Sequence, residues 1–420
     1  MEEPSPAMIL LVLCLVAEIV LLYGMIVIRS RWFRRPAILV FMFMALFVLM
    51  EAATRIHNGL TTSYWRNRES AFVLSLFRGH APRPDYHYYD DRVVHNRQGF
   101  RARRDIDKDK RDQIRIFLCG GSAAYGIGST YAWFQPEFIV IRNEDCIDAY
   151  LEQFLSKRLD RPVEVINASS PEYRIHHHLT LLFESLIEHS PDLIIFFDGH
   201  NDYNVTEHAE RYRISSSQDV YALVNYPSFM NALRYGALIL KSQSMLFRKS
   251  GEYLQLYMVG RQIEARLADP LPIESLDSIT RSRRLRAPEN FMEYVRLIVL
   301  TARTHDIVPF FALQPDLIFD TTKPLTPFEK TFQRFEQSIG QDVEFNRSIQ
   351  QAFVDELGAY CRAEQVGFLD LTQPFAGVAE QTYIDYCHLS PAGNRIIAEK
   401  LGESVLPVLE ARLSAKSQTR

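Results

Sequence analysis

Five short apolar runs, separated by stretches of helical periodicity, constrain this chain most. They are Ile114–Cys119, Val163–Ile166, Leu193–Phe197, Val308–Leu313 and Val366–Leu371. Each is only long enough for a strand, and several are apolar without alternation, as strands buried on both faces are. Between them, Ile147, Tyr150, Leu151, Phe154, Leu155 and Leu159 recur at helical spacing, as do Leu179, Leu182, Phe183 and Leu186. Further helices are predicted over about 289–304, 343–364 and 391–412. Strand and helix in alternation predict an α/β domain whose parallel sheet is covered on both faces. Ligands of such sheets bind beyond the carboxyl ends of the strands.

The first fifty residues have a different character. Ala7 to Ile28 is nearly unbroken apolar sequence, interrupted only by Glu18, Tyr23 and Gly24. A second run extends from Pro36 to Met50, and to Thr54 if Glu51 is tolerated near an interface. A bilayer core needs about 20 such residues, so two transmembrane helices are expected within residues 1–55. A signal peptide would carry a positive start and a shorter apolar core, whereas this chain begins with Glu2 and Glu3. Arg29, Arg31, Arg34 and Arg35 sit between the runs. Positive connectors stay on the cytoplasmic side, so the residues after about 55 are expected on the periplasmic or extracellular side. Glu18, in mid-span, is read as a protonated or helix-paired carboxyl.

Residues 56–112 are expected to be a connector, ending in a charged, solvated stretch over 101–112. The domain proper is expected over 113–420. Its rhythm breaks at about 203–287, where no strand is evident and aromatic and apolar residues are dense. That stretch is expected to be a mostly helical insertion over the sheet, with a smaller one at 131–145. Composition excludes some classes. The net charge is −4, from 47 basic and 51 acidic residues, with no long basic block, so nucleic acid is not an expected partner. The five cysteines have neither CxxC spacing nor an even count, which implies neither a zinc site nor a disulfide framework.

Four loops carry chemistry. Gly120-Gly121-Ser122 follows the first strand, and the glycines let the backbone turn tightly before a serine at the ligand end of the sheet. Gly199-His200-Asn201-Asp202 follows the third, where an asparagine amide is able to donate to a developing oxyanion. Asp385-Tyr386-Cys387-His388 precedes the last helix. An aspartate three residues before a histidine is able to receive its Nδ1 proton, leaving Nε2 to act as a base. Among the twelve histidines, only His388 has this arrangement. Finally, Asn167 to Glu172 runs from a strand into a polar turn whose N–H groups offer a further donor. His176, His177 and His178 are read as a histidine-rich surface turn, since consecutive helical residues fan out by about 100° and do not share one ion. Cys119 and Cys387 are read as packing residues. Asn204-Val205-Thr206 matches a glycosylation sequon but lacks supporting context.

The order of these loops resembles the SGNH/GDSL hydrolase family. CGGSAAYG looks like its first block, VINASSPEY its second, DGHND its third and DYCHLSPAGN its fifth, and Asn96–Arg101 resembles a segment that precedes the first block in many bacterial members. The resemblance covers about 95–410. It implies a flavodoxin-like three-layer α/β/α fold with a parallel sheet and acyl transfer through an acyl-serine intermediate. Ser122 would be the nucleophile and His388 the base, oriented by Asp385. The Ser122 N–H and Asn201 would form the oxyanion hole, with the backbone of Glu172 as a third donor. No cofactor and no metal is implied. The substrate is expected to be an ester: a glycan O-acyl group, a lipid or a small ester. The reaction is expected to be hydrolysis or transfer to another alcohol. Two departures stand out. Gly121 replaces the family's aspartate, and Glu172 stands where a glycine is usual. An inward-facing Glu172 carboxylate would oppose the oxyanion. The rival expectation is a non-catalytic envelope binding or assembly protein on the same fold.

Overall fold

The computed structural model describes residues 6–28, 30–61, 71–88, 91–110, 112–129, 140–203, 244–271, 278–339 and 342–418. They divide into two compact units. The first comprises Met1–Ala71, His87–Asp90 and Gln218–Met258, and the second Phe72–Tyr86, Asp91–Ser217 and Val259–Arg420.

The first unit contains two helices, α1 (Pro6–Val27) and α2 (Arg31–Thr61), packed on each other. The segment Arg34–Thr54 of α2 has 21 residues and a mean hydropathy of 2.3, long and apolar enough to cross a membrane. The described apolar part of α1, Val16–Val27, is shorter. The expected basic connector is mostly helix, because α2 begins at Arg31; Pro36 lies past its first turn and has no N–H to bond the carbonyl of Trp32. Glu51 is buried, and its Oε2 accepts Ser244 Oγ at 2.7 Å and the Leu246 N–H at 2.8 Å.

Four short strands precede the main sheet. β1 (Phe72–Ser75) and β2 (Gly79–Pro82) form an antiparallel hairpin, and β3 (Tyr86–Tyr88) pairs with β4 (Val93–His95). The main sheet follows: β5 (Ile114–Gly120), then α3 (Ser122–Tyr125), α4 (Ile147–Ser156), β6 (Val163–Asn167), α5 (Ile175–Leu181), β7 (Leu193–Asp198) and α6 (His200–Tyr203). After residues 204–243, which lie outside the described set, come α7 (Met245–Ala268) and α8 (Ser278–Leu285). Then follow α9 (Ala287–Thr304), β8 (Val308–Leu313), α10 (Pro327–Ser338), α11 (Val343–Glu364), β9 (Gly367–Asp370) and α12 (Pro391–Gln418).

The sheet order is β6-β5-β7-β8-β9 and all four pairings are parallel. Alternate residues of a strand face opposite sides. Phe117, Cys119, Ile194, Phe196 and Phe311 join the core under α5, α9 and α11. Ile116, Leu118, Ile195, Phe197 and Phe310 join the core under α4 and α12. This is the expected three-layer α/β/α arrangement. The chain turns back across its own sheet at β5, so the crevice beyond the ends of β5 and β7 is the switch point, where open α/β sheets bind ligands.

Most described residues of 101–112 are exposed or half-buried, as expected of a solvated stretch, with two exceptions. Arg101 and Ile106 are buried. Arg101 donates from Nη1 to the carbonyls of Tyr125 and Gly126 at 2.6 and 2.7 Å, and from Nε to Asn143 Oδ1 at 3.2 Å. Its guanidinium also lies over the Tyr125 ring. A charge surrounded by carbonyl acceptors is tolerated in a core where an unpaired one is not.

Candidate active site

The first strand end is built from two contacts that exclude side chains. A Cβ on Gly120 would lie 2.5 Å from both Ala124 Cβ and Phe197 O, and one on Gly121 would lie 2.6 Å from Asn201 Nδ2. Gly120 is therefore required by the close approach of β7, whereas at Gly121 a side chain would have to displace the end of Asn201. It delivers Ser122 to the first position of α3.

The loop before α12 delivers the histidine. Ile384 N donates to His388 O at 2.9 Å and Ser390 N to Thr382 O at 2.8 Å, closing a tight turn. Glu329 Oε1 accepts the N–H groups of Thr382 and Tyr383, both at 3.0 Å. Ser390 caps α12 by accepting Gly393 N at 3.2 Å, with Pro391 as the first helical residue, a pairing that favours helix starts.

These two loops bring three predicted side chains into one chain of hydrogen bonds. His388 Nε2 lies 2.8 Å from Ser122 Oγ and His388 Nδ1 lies 2.7 Å from Asp385 Oδ2. Asp385 Oδ1 also accepts the N–H groups of His388 at 2.8 Å and Cys387 at 3.1 Å. Burial acts to raise the Asp385 pKa. The His388 imidazole and these N–H donors outweigh it, leaving the carboxyl below its ordinary value. An ionised carboxylate only accepts, so Nδ1 carries the proton and Nε2 accepts from the serine hydroxyl. That polarity makes a serine oxygen nucleophilic without a prior charge.

Asn201 reaches the site from α6. Its Nδ2 donates to the Tyr173 carbonyl at 3.0 Å, and the second hydrogen of that amide is left for another acceptor. Glu172 has φ +63°, the left-handed region that glycine favours, and its side chain is exposed. The glutamate thus keeps the backbone shape of the expected glycine with its carboxylate turned to solvent. Ser170 N donates to Gly120 O at 3.1 Å, tying this loop to the β5 end.

Asp385, Cys387 and His388 hold ligand-type atoms within 4.8 Å of one another. Both imidazole nitrogens are engaged by Ser122 and Asp385, and burial pushes the Cys387 thiol well up. A neutral thiol and an occupied imidazole are a poor metal donor set. Burial likewise raises the Cys119 thiol, consistent with packing for both.

The histidine triplet is not a surface turn. His177 and His178 are buried on α5. His177 Nδ1 accepts Arg174 N at 3.0 Å and its ring stacks on Tyr173 at 4.9 Å, while His178 Nε2 lies 2.8 Å from Asp198 Oδ1. Burial lowers His177 well below its ordinary pKa and His176 to about 3. The sequon at 204–206 lies outside the described residues.

Two groups escaped the sequence reading. His200 Nδ1 lies 2.7 Å from Oδ2 of the fully buried Asp316, and its ring is 5.1 Å from Tyr386. Asp316 follows the end of β8, the strand end for which no motif was recognised, and that position was the only available signal. The second group is the hairpin. His80 Nε2 lies 2.9 Å from Pro171 O, Tyr173 Oη donates to His80 O at 2.7 Å, and Arg78 Nη1 donates to Tyr173 Oη at 2.8 Å.

The family model for the GDSL-like lipase/acylhydrolase family matches residues 118–396. No curated protein matches the chain. Among solved structures, the acetyl xylan esterase AlAXEase is similar at 12% identity, with 70% of this chain and 100% of that one covered and a TM-score of 0.34. A variant of Axe2, an acetyl-xylooligosaccharide esterase from Geobacillus Stearmophilus, is similar at 11% identity, covering 70% and 94%, with a TM-score of 0.37. The lipase/acylhydrolase from Enterococcus faecalis is similar at 12% identity, covering 70% and 95%, with a TM-score of 0.33. The assignment rests on the family match, which spans the serine, asparagine and Asp–His loops alike: the chain belongs to the GDSL-like lipase/acylhydrolase family and is a serine hydrolase.

Proposed function

We propose that the protein is a membrane-anchored serine esterase. Residues 1–55 form the anchor, 56–112 the connector and 113–420 the catalytic domain with its insertion at about 203–287, facing the periplasm or exterior. The observation that carries the chemistry is the hydrogen-bonded chain from Ser122 Oγ through His388 to Asp385. The apolar Arg34–Thr54 segment supports the anchor.

In this reading Ser122 Oγ attacks the ester carbonyl while His388 Nε2 takes its proton. Asp385 keeps Nδ1 protonated and stabilises the imidazolium. The carbonyl oxygen, now negative, faces the N–H groups of Ser122 and Glu172 and the second amide hydrogen of Asn201. His388 then returns the proton to the departing alcohol, leaving an acyl-serine. Water, deprotonated by the same imidazole, attacks that ester and releases the acid. The exposed carboxylate of Glu172 stays out of this field. Substrate esters include a glycan O-acyl group, a lipid or a small ester. A second alcohol in place of water would make the same intermediate serve an acyl transfer.

The test is labelling of the full-length protein in detergent with a fluorophosphonate, alongside p-nitrophenyl esters of rising acyl length. Labelling and release that vanish in Ser122→Ala support the reading. A folded protein that neither labels nor hydrolyses would move it to the non-catalytic reading. Acyl transfer is recognised by mass spectrometry when a polyol or glycan is added.

A further inference from the structure

The β1–β2 hairpin is packed along its stem and bare at its tip. Phe72 stands 5.7 Å from the rings of both His80 and Tyr125. Ser75 pairs with Gly79, so Leu76, Phe77 and Arg78 form the turn. Gly79 adopts φ +75° and Arg78 N donates to Ser75 Oγ at 3.2 Å, which fix the turn's shape. Leu76 is 90% exposed and Phe77 is 74% exposed. Single exposed apolar residues need no explanation, but adjacent large ones on a rigid tip mark a contact surface. Arg78 folds back instead of projecting, donating from Nε to Glu184 Oε2 at 2.6 Å. Phe183, the residue before Glu184, is also exposed.

Chain order says what covers the tip. Residues 55–71 join the apolar Arg34–Thr54 segment to the hairpin, and even fully extended each residue spans only about 3.3–3.6 Å. That joining stretch reads Tyr64-Trp65-Arg66-Asn67-Arg68, and aromatic and basic side chains favour the membrane–water interface. We infer that the β1–β2 tip is a lipid-docking wedge, with Leu76 and Phe77 entering the interfacial zone of the bilayer. The inference rests on the proposed membrane anchor but not on the esterase chemistry. Through Arg78 and His80 the docked hairpin grips Tyr173 and Pro171, which flank Glu172, and the Tyr173 carbonyl holds the Asn201 amide.

The experiment uses the full chain with Cys14→Ala and Phe77→Cys, labelled with an environment-sensitive nitrobenzoxadiazole. Cys119, Cys146, Cys361 and Cys387 are buried and stay unlabelled. The protein is reconstituted in phosphatidylcholine–phosphatidylglycerol vesicles. A label at Glu410→Cys, an exposed site on α12, reports the outward-facing fraction. Expected is a blue-shifted emission at position 77, quenched by spin-labelled lipid and shielded from iodide, while position 410 is quenched by iodide. Iodide quenching at 77 without lipid quenching, in vesicles where 410 is outward, overturns the inference. In a second arm, the Leu76→Ser/Phe77→Ser protein should hydrolyse a bilayer-embedded ester about a hundredfold more slowly, roughly tenfold for each of the two buried apolar side chains lost. Its turnover of a water-soluble acetyl ester should not change. Equal loss on both esters would deny the tip a lipid-specific role. If no ester is cleaved, the quenching arm still decides.

Discussion

Gly121 leaves room for Asn201: a Cβ on that glycine would stand 2.6 Å from the asparagine amide nitrogen. In this chain the glycine before the nucleophile leaves that space to the end of the Asn201 side chain, which a Cβ would displace. Gly121→Ala is expected to push the amide away and to lower kcat by roughly 10²–10³, the scale of one lost oxyanion donor. Asn201→Ala should lose a similar factor, and the double variant little more than either. Full activity in Asn201→Ala would remove Asn201 from the mechanism.

Asp385→Asn should lower kcat by about 10⁴, because an amide cannot hold Nδ1 in the donor state. It also has a stability signature. The folded Asp385 pKa is depressed, so its contribution is present above the ordinary carboxylate range and is lost as pH falls through the folded value. Melting temperature against pH should therefore fall less steeply in acid for Asp385→Asn. An unchanged acid limb would contradict the assigned ion pair.

Asp148 should behave in the opposite sense. Burial pushes its carboxyl up to about 7, against the Asn167 amide that donates to it at 2.7 Å. A raised carboxyl stabilises below the unfolded value near 4 and loses that contribution as pH rises towards about 7. Asp148→Asn retains an acceptor for Asn167. It should leave the melting temperature unchanged at pH 4 and raise it at pH 8. Thermal scans at the two pH values check this.

Glu172→Gly should hardly change hydrolysis, since the carboxylate already faces solvent. It should leave stability equal or raise it by up to about 1 kcal/mol, the left-handed strain relieved being partly offset by glycine's extra unfolded entropy. A large rise in kcat would mean that the carboxylate does reach the oxyanion. Chemical denaturation and ester kinetics on the same protein separate the two effects.

How far the site was legible depends on how local each signal is. The five sheet strands were readable because each is a compact apolar run, and Ser122, Asn201, Asp385 and His388 were readable because each stands at a strand end or before a helix. Strand β8 falls on the residues expected, Val308–Leu313. Arg101 was read as solvated because nothing in RARRDIDKDKRD distinguishes the guanidinium that meets the Tyr125 and Gly126 carbonyls. The buried histidines depended on partners such as Asp198, twenty residues away. The β1–β2 hairpin lacks alternation, since its order comes from Tyr173 and Tyr125 rather than its own pattern. Helix α10 did carry an unused signal: Thr326 and Glu329 form a reciprocal capping box, a local start motif.

The Glu51 carboxylate has a consequence for the order of events in folding. It is held by Ser244 and Leu246, nearly two hundred positions later in the chain. A ribosome releases α2 long before it has made those partners, so this glutamate lacks both of them until β5, β6 and β7 have all been synthesised. Contacts of such sequence separation form slowly. The N-terminal helices are therefore finished late, after much of the sheet has been synthesised, although they are made first.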